Sequence, residues 1–377
     1  MRFLKPIKSA KAAIREFREA SAIRRTSPQV SVHRWLQPNP YCSMLYSRFD
    51  GAAKPTPLVR LHELESFASL RDRTLLVHGE HGYGWGVDDP VELQKAFNRY
   101  IVALKQLRAN GGRMAWTMHD DGTLHVGDGN LERIEAIRSF LGQNSDLVHV
   151  HSRAAAALAK RAFGVAEEKI AVVPHPSYAT MYPVGVADNW RPPSGKRRLL
   201  SLGYVRKYKD FPALAEALSN LPAHTFESLT IAGKPQPDGG GLEPKAFTPS
   251  ITLDLNLGFV ADEDIPAYFH RADFSVLPYK KGMTSGVAAM SLTFGVPIVG
   301  SDLGGMREAV PEENLPLIYD REDPDGLARA LALASEMSED DYSELRTACL
   351  RRAAEIHPDQ VSEMMKQALR SRDLLPG

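Results

Sequence analysis

The 377-residue sequence contains only two cysteines, Cys42 and Cys349, and they lie far apart. This scarcity argues against a disulfide framework and favours a reducing compartment. No apolar run approaches the about 18 residues of a membrane-spanning helix, and no short apolar segment precedes a small-residue cleavage site. A chain of this length can fold without disulfides or metal, and it is expected to form two domains. The sequence therefore predicts a soluble, cytoplasmic, two-domain protein.

An excess of either charge is also lacking. The sequence has 46 Lys and Arg residues against 46 Asp and Glu residues, which argues against extended binding to nucleic acid. No G-x-G-x-x-G pattern joins a first strand to a helix, so a nicotinamide cofactor is not expected. Histidine pairs occur at His78 and His81 and at His149 and His151, but no third ligand has suitable spacing for a metal.

One local imbalance of charge lies in residues 1–25, which carry eight basic and two acidic residues. Apolar residues recur there every three or four positions, at Phe3, Ile7, Ala10, Ile14, Phe17 and Ala20. This spacing predicts a basic amphipathic helix, which is suited to an anionic membrane interface. Two other interpretations remain open: a helix that packs its apolar stripe on the domain, or a partly mobile end.

Beyond residue 25, short β-rich runs alternate with helical patterns, as is typical of parallel sheets covered by helices. We predict an α/β protein with an N-terminal domain over residues 26–187 and a C-terminal domain over residues 188–355. Residues 184–196 contain prolines and a glycine and have little apolar content, so they are interpreted as the linker. Two Rossmann-like halves joined there would form a cleft between them.

Two loops of the second half contain candidate anion-binding groups. A predicted strand ends at Gly203 and leads into a basic loop with Arg206 and Lys209. Ligands of open α/β sheets bind at the carboxyl ends of strands, where this loop lies. A second predicted strand runs into Lys281, Thr284, Ser285 and Gly286 before a helix of small residues begins.

Free backbone N–H groups at the start of that helix, together with hydroxyl groups and nearby lysines, would suit a diphosphate. A further loop follows, in which Gly304 and Gly305 allow close approach of the backbone. Glu308 then enters the cleft or caps a helix. Each of these features alone could have a purely structural role. Together and in this order, they are a specific signal for a diphosphate-binding site.

Residues 196–310 resemble the donor domain of GT-B-fold glycosyltransferases, most closely glycosyltransferase family 4 and related bacterial exopolysaccharide transferases. The matching segments are SLGYVRKYKDFPALAEAL, LTIAGKP, NLGFVADEDIPAYFHRADFSVLPY and TSGVAAMSLTFGVPIVGSDLGGMREAV. The resemblance implies two Rossmann-like domains facing across a cleft, with the nucleoside diphosphate on the second domain and the acceptor on the first. It also implies that neither metal nor cofactor is needed. The last helix, within residues 356–377, is expected to cross back to the first domain.

The resemblance implies roles for several residues of the second domain. Lys209 matches the lysine that follows the first strand, and Arg206 is the expected substitute for an arginine that the family places at Tyr204. Donor-binding roles are implied for a wider set, namely Gly203, Arg206, Lys209, Phe259, Val260, Lys281, Thr284, Ser285, Gly286 and Glu308. Phe259 and Val260 match the segment beside the base. The sequence departs from the family at Gly282 and Met290, where two glutamates usually stand.

The N-terminal half of the sequence resembles the glycosyltransferase family less closely than the C-terminal half does. His119 resembles the strand-end histidine that faces the donor sugar, and Asp120 or Asp121 is a candidate general base if the reaction inverts configuration. His175 matches a segment after the fourth strand and is expected near the acceptor. A glycine-rich loop offers Glu80, His81, Tyr83 and Trp85 for contact with an acceptor sugar. A mobile surface loop is the alternative interpretation.

The sequence thus predicts a metal-independent hexosyltransferase. Its donor would be a GDP- or UDP-linked sugar, and its acceptor a saccharide or a polyprenyl-linked saccharide in bacterial-type polysaccharide or glycoconjugate synthesis. The protein would be cytoplasmic and could lie on the inner face of the cell membrane through residues 1–25. The alternative is a catalytically silent GT-B subunit that binds a partner transferase. The missing glutamates at Gly282 and Met290 motivate it.

Overall fold

A computed structural model describes residues 29–33, 39–84, 86–87, 89–120, 131–182, 195–237, 240–247 and 250–376. The helix expected within residues 1–25 lies outside this part of the chain, as do Trp85, the side chain of His81 and most of the expected linker. None of the described helices is both long and apolar enough to cross a membrane.

The first domain is built on a sheet of six parallel strands. The strands are β1 (Val30–His33), β2 (Thr56–Leu58), β3 (Thr74–Val77), β4 (Arg113–Thr117), β5 (Leu147–Val150) and β6 (Ile170–Val172), in the order β2-β1-β3-β4-β5-β6. Its helices are α1 (Tyr41–Leu45), α2 (Leu61–Ala68), α3 (Pro90–Ala109), α4 (Leu131–Asn144) and α5 (Arg153–Phe163). Strands β1, β3 and β5 are buried at every position, because both faces of the sheet are covered.

The second domain repeats this plan. Its strands are β7 (Arg198–Leu202), β8 (Ser228–Ala232), β9 (Thr252–Asn256), β10 (Phe274–Leu277), β11 (Ile298–Ser301) and β12 (Ile318–Tyr319), in the order β12-β11-β10-β7-β8-β9. Its helices are α6 (Phe211–Ser219), α7 (Ile265–His270), α8 (Gly286–Thr293), α9 (Met306–Ala309), α10 (Gly326–Glu336) and α11 (Glu339–Glu355). The expected pair of Rossmann-like domains with parallel sheets is confirmed.

Helices α5 and α8 begin where strands of the two sheets end, and both are capped by serine. The Ser152 hydroxyl accepts a hydrogen bond from the backbone N–H of Ala155 at 3.0 Å, as expected for an N-cap residue. The Ser285 hydroxyl accepts one from the backbone N–H of Ala288 at 3.1 Å. Both helix starts therefore lie at the carboxyl edge of their own sheet.

A last helix, α12 (Pro358–Arg370), returns to the first domain. The Lys366 ammonium donates to the backbone oxygen of Arg48 at 2.9 Å, and the backbone N–H of Arg48 donates to the Ser362 hydroxyl at 3.0 Å. The apolar side of α12, which includes Met365 and Leu369, is buried in a core shared with β1 and α1. Helix α12 therefore ties the end of the chain to the first sheet.

Replacing Leu369, whose side chain is 0% exposed, by alanine should lower the free energy of unfolding by about 2–5 kcal/mol, because it leaves a cavity in this shared core. Met364 lies on the same helix but is 41% exposed, so Met364→Ala should change that free energy by no more than about 0.5 kcal/mol. Urea unfolding of both variants measures the difference. Equal effects would show that α12 does not contribute its buried side to the core.

Candidate active site

A cleft lies between the two domains. The first domain lines it with residues that follow β5 and β6, among them His151, Ser152 and His175. The second domain lines it with residues 282–285, which lead into α8, and with Gly305 and Glu308. The carboxyl edges of both parallel sheets therefore meet at one space, as expected for ligands of open α/β sheets.

The start of α8 faces the first domain directly. A Cβ atom built at Gly286 would lie 3.0 Å from the Tyr178 hydroxyl and 3.9 Å from Nε2 of His175. The Thr284 hydroxyl is buried and has no hydrogen-bond partner within the described part of the chain. Amide groups at a helix start and an unpaired hydroxyl are groups that can bind an anion. The expected group of Thr284, Ser285 and Gly286 lies together here, whereas the neighbouring Lys281 is exposed.

Lys209 lies beneath the end of β7. Its ammonium donates to the backbone oxygen of Leu202 at 2.5 Å, and a Cβ atom on Gly203 would be 3.3 Å from the Lys209 nitrogen. Gly203 has a φ of +97°, a conformation that L side chains rarely adopt. The Lys209 side chain is buried, and burial lowers its pKa to about 7 because the charged form is desolvated. Arg206 lies at the surface of the same loop, and its guanidinium is 3.4 Å from the Gln236 side-chain oxygen.

A second pocket lies at the ends of β7 and β8. Gly203, Phe259 and Val260 line it together, as the resemblance implies for the side of the base. The Phe259 ring is 76% exposed and therefore offers a flat apolar surface for stacking. Val287 of α8 also lines this pocket and would be 3.6 Å from a Cβ atom on Gly203, so the pocket adjoins the helix start.

The two positions that depart from the family pattern lie on either side of the helix start. Met290 lines the second pocket, and Gly282 lines the cleft. Gly282 has a φ of +141°, and nothing lies within 4 Å of a Cβ atom built there. At these two positions an apolar side chain and an open space replace carboxylates.

A row of histidines follows the strands of the first sheet. His78 follows β3, His119 lies two residues beyond β4, His151 follows β5, and His175 lies three residues beyond β6. The ring centroids of neighbouring members are 5.2, 5.7 and 5.7 Å apart. The Tyr41 ring on α1 lies against all four, at 4.8 to 5.8 Å between centroids. The expected residues His119 and His175 thus belong to one cluster.

The buried members of this row are neutral. Burial lowers the pKa of His175 to about 4, and it lowers the pKa values of His78 and His151 well below their ordinary value. Nδ1 of His175 donates to the backbone oxygen of Pro176 at 2.8 Å, because a carbonyl can only accept. Nε2 of His175 is therefore the acceptor nitrogen.

The glycine-rich loop differs from the expectation. Glu80 is buried and forms an ion pair with the buried Arg138. Tyr83 is buried as well, and its ring centroid lies 5.7 Å from that of Phe97 and 5.9 Å from that of Tyr100. The assignment of Glu80 and Tyr83 to acceptor contact is therefore corrected, because both side chains are enclosed by the domain interior.

Asp120 is held by the same arginine. Its carboxylate accepts from the Arg138 guanidinium at 2.7 Å, and its backbone oxygen accepts from the same group at 3.0 Å. Arg138 thus joins Asp120 to Glu80 behind the row of histidines. Asp121, the other candidate base, lies outside the described residues.

Glu308 contacts the opposite domain. Its carboxylate accepts from the backbone N–H groups of Arg153 and Ala154, at 2.9 and 3.0 Å, and so binds the start of α5. A Cβ atom on Gly305 would lie 2.6 Å from the Cβ of Ser152, so only glycine permits this approach. Glu308 thus lines the cleft and caps a helix, and that helix belongs to the first domain. Its contact with a donor stays a prediction.

Sequence reasoning missed Tyr41, Tyr178 and the roles of His78 and His151. Histidines recur at the ends of predicted strands, and this recurrence was the available signal for the cluster. The pattern was interpreted only in terms of metal binding. Within the described residues, no group of three or more His, Cys, Asp and Glu side chains has a geometry that could hold a metal.

Comparisons with known proteins agree with this architecture. Residues 196–336 match the family described as glycosyl transferases group 1. A glycogen synthase of Mycobacterium tuberculosis is 25% identical over 254 residues, which cover 67% of this chain and 58% of that protein. The chain therefore spans less than two thirds of that curated relative. A D-inositol 3-phosphate glycosyltransferase of Thermobispora bispora is 26% identical over 150 residues, or 37% of this chain and 35% of that protein.

Solved structures are similar over most of the chain. A sucrose-phosphate synthase from Thermosynechococcus elongatus superposes with a TM-score of 0.61 at 18% identity, covering 86% of this chain and 82% of that one. Anabaena HepE in complex with UDP and glucose superposes with a TM-score of 0.63 at 15% identity, covering 91% and 99%. The chain therefore has the GT-B fold, and residues 196–336 of its second domain match the family model of the group 1 glycosyl transferases.

Proposed function

We propose that the protein transfers a sugar from a nucleoside-diphosphate sugar to a saccharide or lipid-linked saccharide acceptor. The observation that carries the proposal is the start of α8. There the buried Thr284 hydroxyl lacks a partner within the described residues, and a Cβ atom on Gly286 would lie 3.9 Å from Nε2 of His175. The adjoining pocket is lined by Gly203 and Phe259. A nucleoside in that pocket would place its diphosphate at the helix start and its sugar toward the first domain.

In this mechanism, the chain's own groups stabilise the charge that develops on the leaving diphosphate. The helix dipole and free amides at the start of α8 favour the anion. Lys209 supplies a fixed charge beneath Gly203 when it is protonated. Arg206 and Lys281, at the surface of the two loops, add positive charge near the entrance. No step requires a metal, so metal independence is part of the proposal.

In the first domain, we assign hydrogen-bonding roles to His119, toward the donor sugar, and to His175, toward the acceptor. Both belong to the row of histidines, and the neutral His175 ring offers an acceptor nitrogen toward the cleft. We also propose Asp120 as the group that receives the acceptor proton, although its ion pair with Arg138 must loosen first. The basic residues 1–25 would bring the protein to an anionic membrane surface where a polyprenyl-linked acceptor lies.

A catalytically silent GT-B subunit is the second candidate. Gly282 and Met290 favour it, since neither offers a carboxylate for ribose or sugar hydroxyls. The isolated full-length chain separates the candidates: hydrolysis or transfer from a nucleotide sugar supports the enzyme, and nucleotide binding without turnover supports the silent subunit.

A thermal-shift panel of UDP, GDP and ADP tests the donor site and identifies the base. A ligand at 100 times its dissociation constant should add about 2.7 kcal/mol to the free energy of unfolding. UDP is the first choice, because Anabaena HepE is solved with UDP and glucose. Absence of stabilisation by every nucleotide would refute the donor-site assignment.

Binding of the nucleoside diphosphate should be coupled to proton uptake at pH 8. The pKa of Lys209 in the free protein is lowered to about 7, so its amine is mostly neutral at pH 8, and a bound diphosphate favours the charged form. Uptake of up to one proton should therefore fade as the pH falls below 7, where Lys209 is already protonated. Calorimetric titration in two buffers of different ionisation enthalpy measures it.

The matched variants for this prediction are Lys209→Ala and Lys207→Ala, which remove the same charge from one loop. Lys209→Ala should abolish the proton uptake and weaken nucleotide binding by roughly ten- to 150-fold, as for a charge-assisted hydrogen bond. Lys207 is exposed, so its variant should retain both properties. Full affinity and full proton uptake in Lys209→Ala would place the diphosphate elsewhere.

Glu308→Gln should favour separation of the two domains. The carboxylate charge at the start of α5 interacts with the helix dipole by about 0.3–1 kcal/mol, so the ratio of closed to open molecules should fall by roughly two- to fivefold. Energy transfer between one dye on each domain reports the change. Glu312→Gln, an exposed substitution of the same kind outside this contact, serves as control. An identical distance distribution in both variants would mean that Glu308 does not hold the domains together.

A further inference from the structure

Tyr178 lies in the segment that follows β6, and its hydroxyl reaches the start of α8. A Cβ atom built at Gly286, the first residue of α8, would lie 3.0 Å from that hydroxyl oxygen. Tyr178 is only 8% exposed, and its hydroxyl has no hydrogen-bond partner within the described part of the chain. A buried hydroxyl normally has a partner, because leaving it unpaired costs free energy. Its position beside a helix start therefore points to a bound ligand as that partner.

The Tyr178 ring is held in place by the protein itself. The backbone N–H of Tyr178 donates to the Thr293 hydroxyl at the other end of α8, at 2.9 Å. The ring stacks with those of His175 and Tyr182, at 6.0 and 6.2 Å between centroids and at 27° and 30° between planes. It also belongs to a buried cluster with Phe294 of the second domain. The segment after β6 therefore crosses to the second domain and fixes this hydroxyl against α8.

The Tyr178 hydroxyl is a hydrogen-bond donor, whereas the neighbouring His175 offers an acceptor. Burial, with smaller contributions from Tyr182 and Asp262, raises the pKa of Tyr178, so the phenol keeps its proton. Nδ1 of His175 donates to the Pro176 backbone oxygen, which leaves Nε2 of that neutral ring without a proton. Charged phosphate oxygens only accept, so they can pair with the phenol but not with Nε2 of His175.

Other groups at the same helix start favour an anion. The free amides of α8 carry the positive end of the helix dipole. The Thr284 hydroxyl, two residues before Gly286, is also buried and unpaired among the described residues. The pocket proposed for the nucleoside adjoins this end of α8 through Val287, which would lie 3.6 Å from a Cβ atom on Gly203. A ligand with an apolar part in that pocket and a charged part at the helix start fits both.

We propose that Tyr178 is a further donor-binding residue, whose hydroxyl donates a hydrogen bond to a phosphate oxygen of the bound nucleoside diphosphate. Its proximity to Gly286 at the start of α8 carries this assignment. The assignment rests on the proposed function and adds to it, because a side chain from the segment after β6 then completes an anion site that the second domain otherwise forms.

The affinity of the full-length protein for UDP tests this assignment, with GDP and ADP titrated alongside. Tyr178→Phe should weaken binding of the nucleotide that the unmodified protein binds by about tenfold, as for a hydrogen bond to a charged group. Tyr182→Phe removes a hydroxyl from the same stack of rings, but no described atom of Tyr182 lies within 4 Å of a Cβ atom on Gly286. This control should retain full affinity. Calorimetric titration measures both variants.

Two further measurements separate a phosphate contact from other roles of the Tyr178 hydroxyl. The matching nucleoside, which carries no phosphate, should bind equally to the unmodified protein and to Tyr178→Phe. The free energy of unfolding without nucleotide should not fall in Tyr178→Phe, since the hydroxyl has no partner among the described residues to lose. Equal weakening of nucleoside and nucleotide, or a clear loss of stability, would contradict the assignment.

A double-mutant cycle tests whether Tyr178 and Gly286 act at one site. A methyl group at position 286 would lie 3.0 Å from the Tyr178 hydroxyl and push it aside. Gly286→Ala should therefore weaken nucleotide binding in the unmodified protein but have little further effect in Tyr178→Phe, which lacks that oxygen. Strictly additive effects would mean that the two residues act independently and would overturn the proposal.

Failure of the proposed function gives a different result. The unmodified protein would then bind none of UDP, GDP and ADP, which would overturn both the donor site and the role of Tyr178. Binding of one of these nucleotides with the same affinity in the unmodified protein and in Tyr178→Phe would keep the donor site and refute the role of Tyr178 alone.

Discussion

The carboxyl edges of two parallel sheets open into one cleft, and every feature of the candidate site depends on that arrangement. Helix starts and strand-end side chains lie at this edge of a parallel sheet, so each domain contributes its polar groups to the same space. Helix α12 fixes the chain's end to the first sheet, while Glu308 of the second domain binds the start of α5. Helix α12 and the Glu308 contact thus connect the two domains that form the cleft.

The chemistry of the two walls is complementary. The second domain presents the positive end of α8 and the buried Lys209, whereas the first domain presents neutral imidazoles. Neutral rings can bind hydroxyl groups without attracting a second anion into the site. Because burial suppresses the charge on Lys209 in the free protein, the full positive potential develops only when an anion arrives. In the proposed function, the site would therefore favour a diphosphate while remaining weakly charged without one.

The sequence was most informative where local pattern alone determines structure. Apolar runs identified β7 and β10, the strands that precede the two candidate anion-binding loops. Strands β1 and β2 were not identified, since they are short and β2 contains a proline. The close approach at Gly305 was expected, but its partner, Ser152, lies on the other domain and no local pattern could indicate it.

The predictions from sequence were wrong where the residue types of a loop suggested a binding surface but their side chains are buried in the domain. A glycine-rich loop with Glu80 and Tyr83 has the composition of a sugar-binding surface, yet the buried Arg138 draws Glu80 inward. Arg138 lies on α4, far along the sequence, and burying its guanidinium requires carboxylate partners. Long-range charge pairing of this kind determines which polar side chains of a loop reach the solvent, and spacing within the loop does not reveal it.

The absence of carboxylates at Gly282 and Met290 has an electrostatic consequence for the start of α8. A carboxylate beside the start of α8 would partly cancel the positive end of the helix dipole, so its absence strengthens the attraction for phosphate oxygens. The acidic side chain that does line the cleft on this side, Glu308, is already engaged with the amides of α5. In the proposed function, recognition of sugar hydroxyls would then depend more on the first domain, where the row of histidines lies at the strand ends.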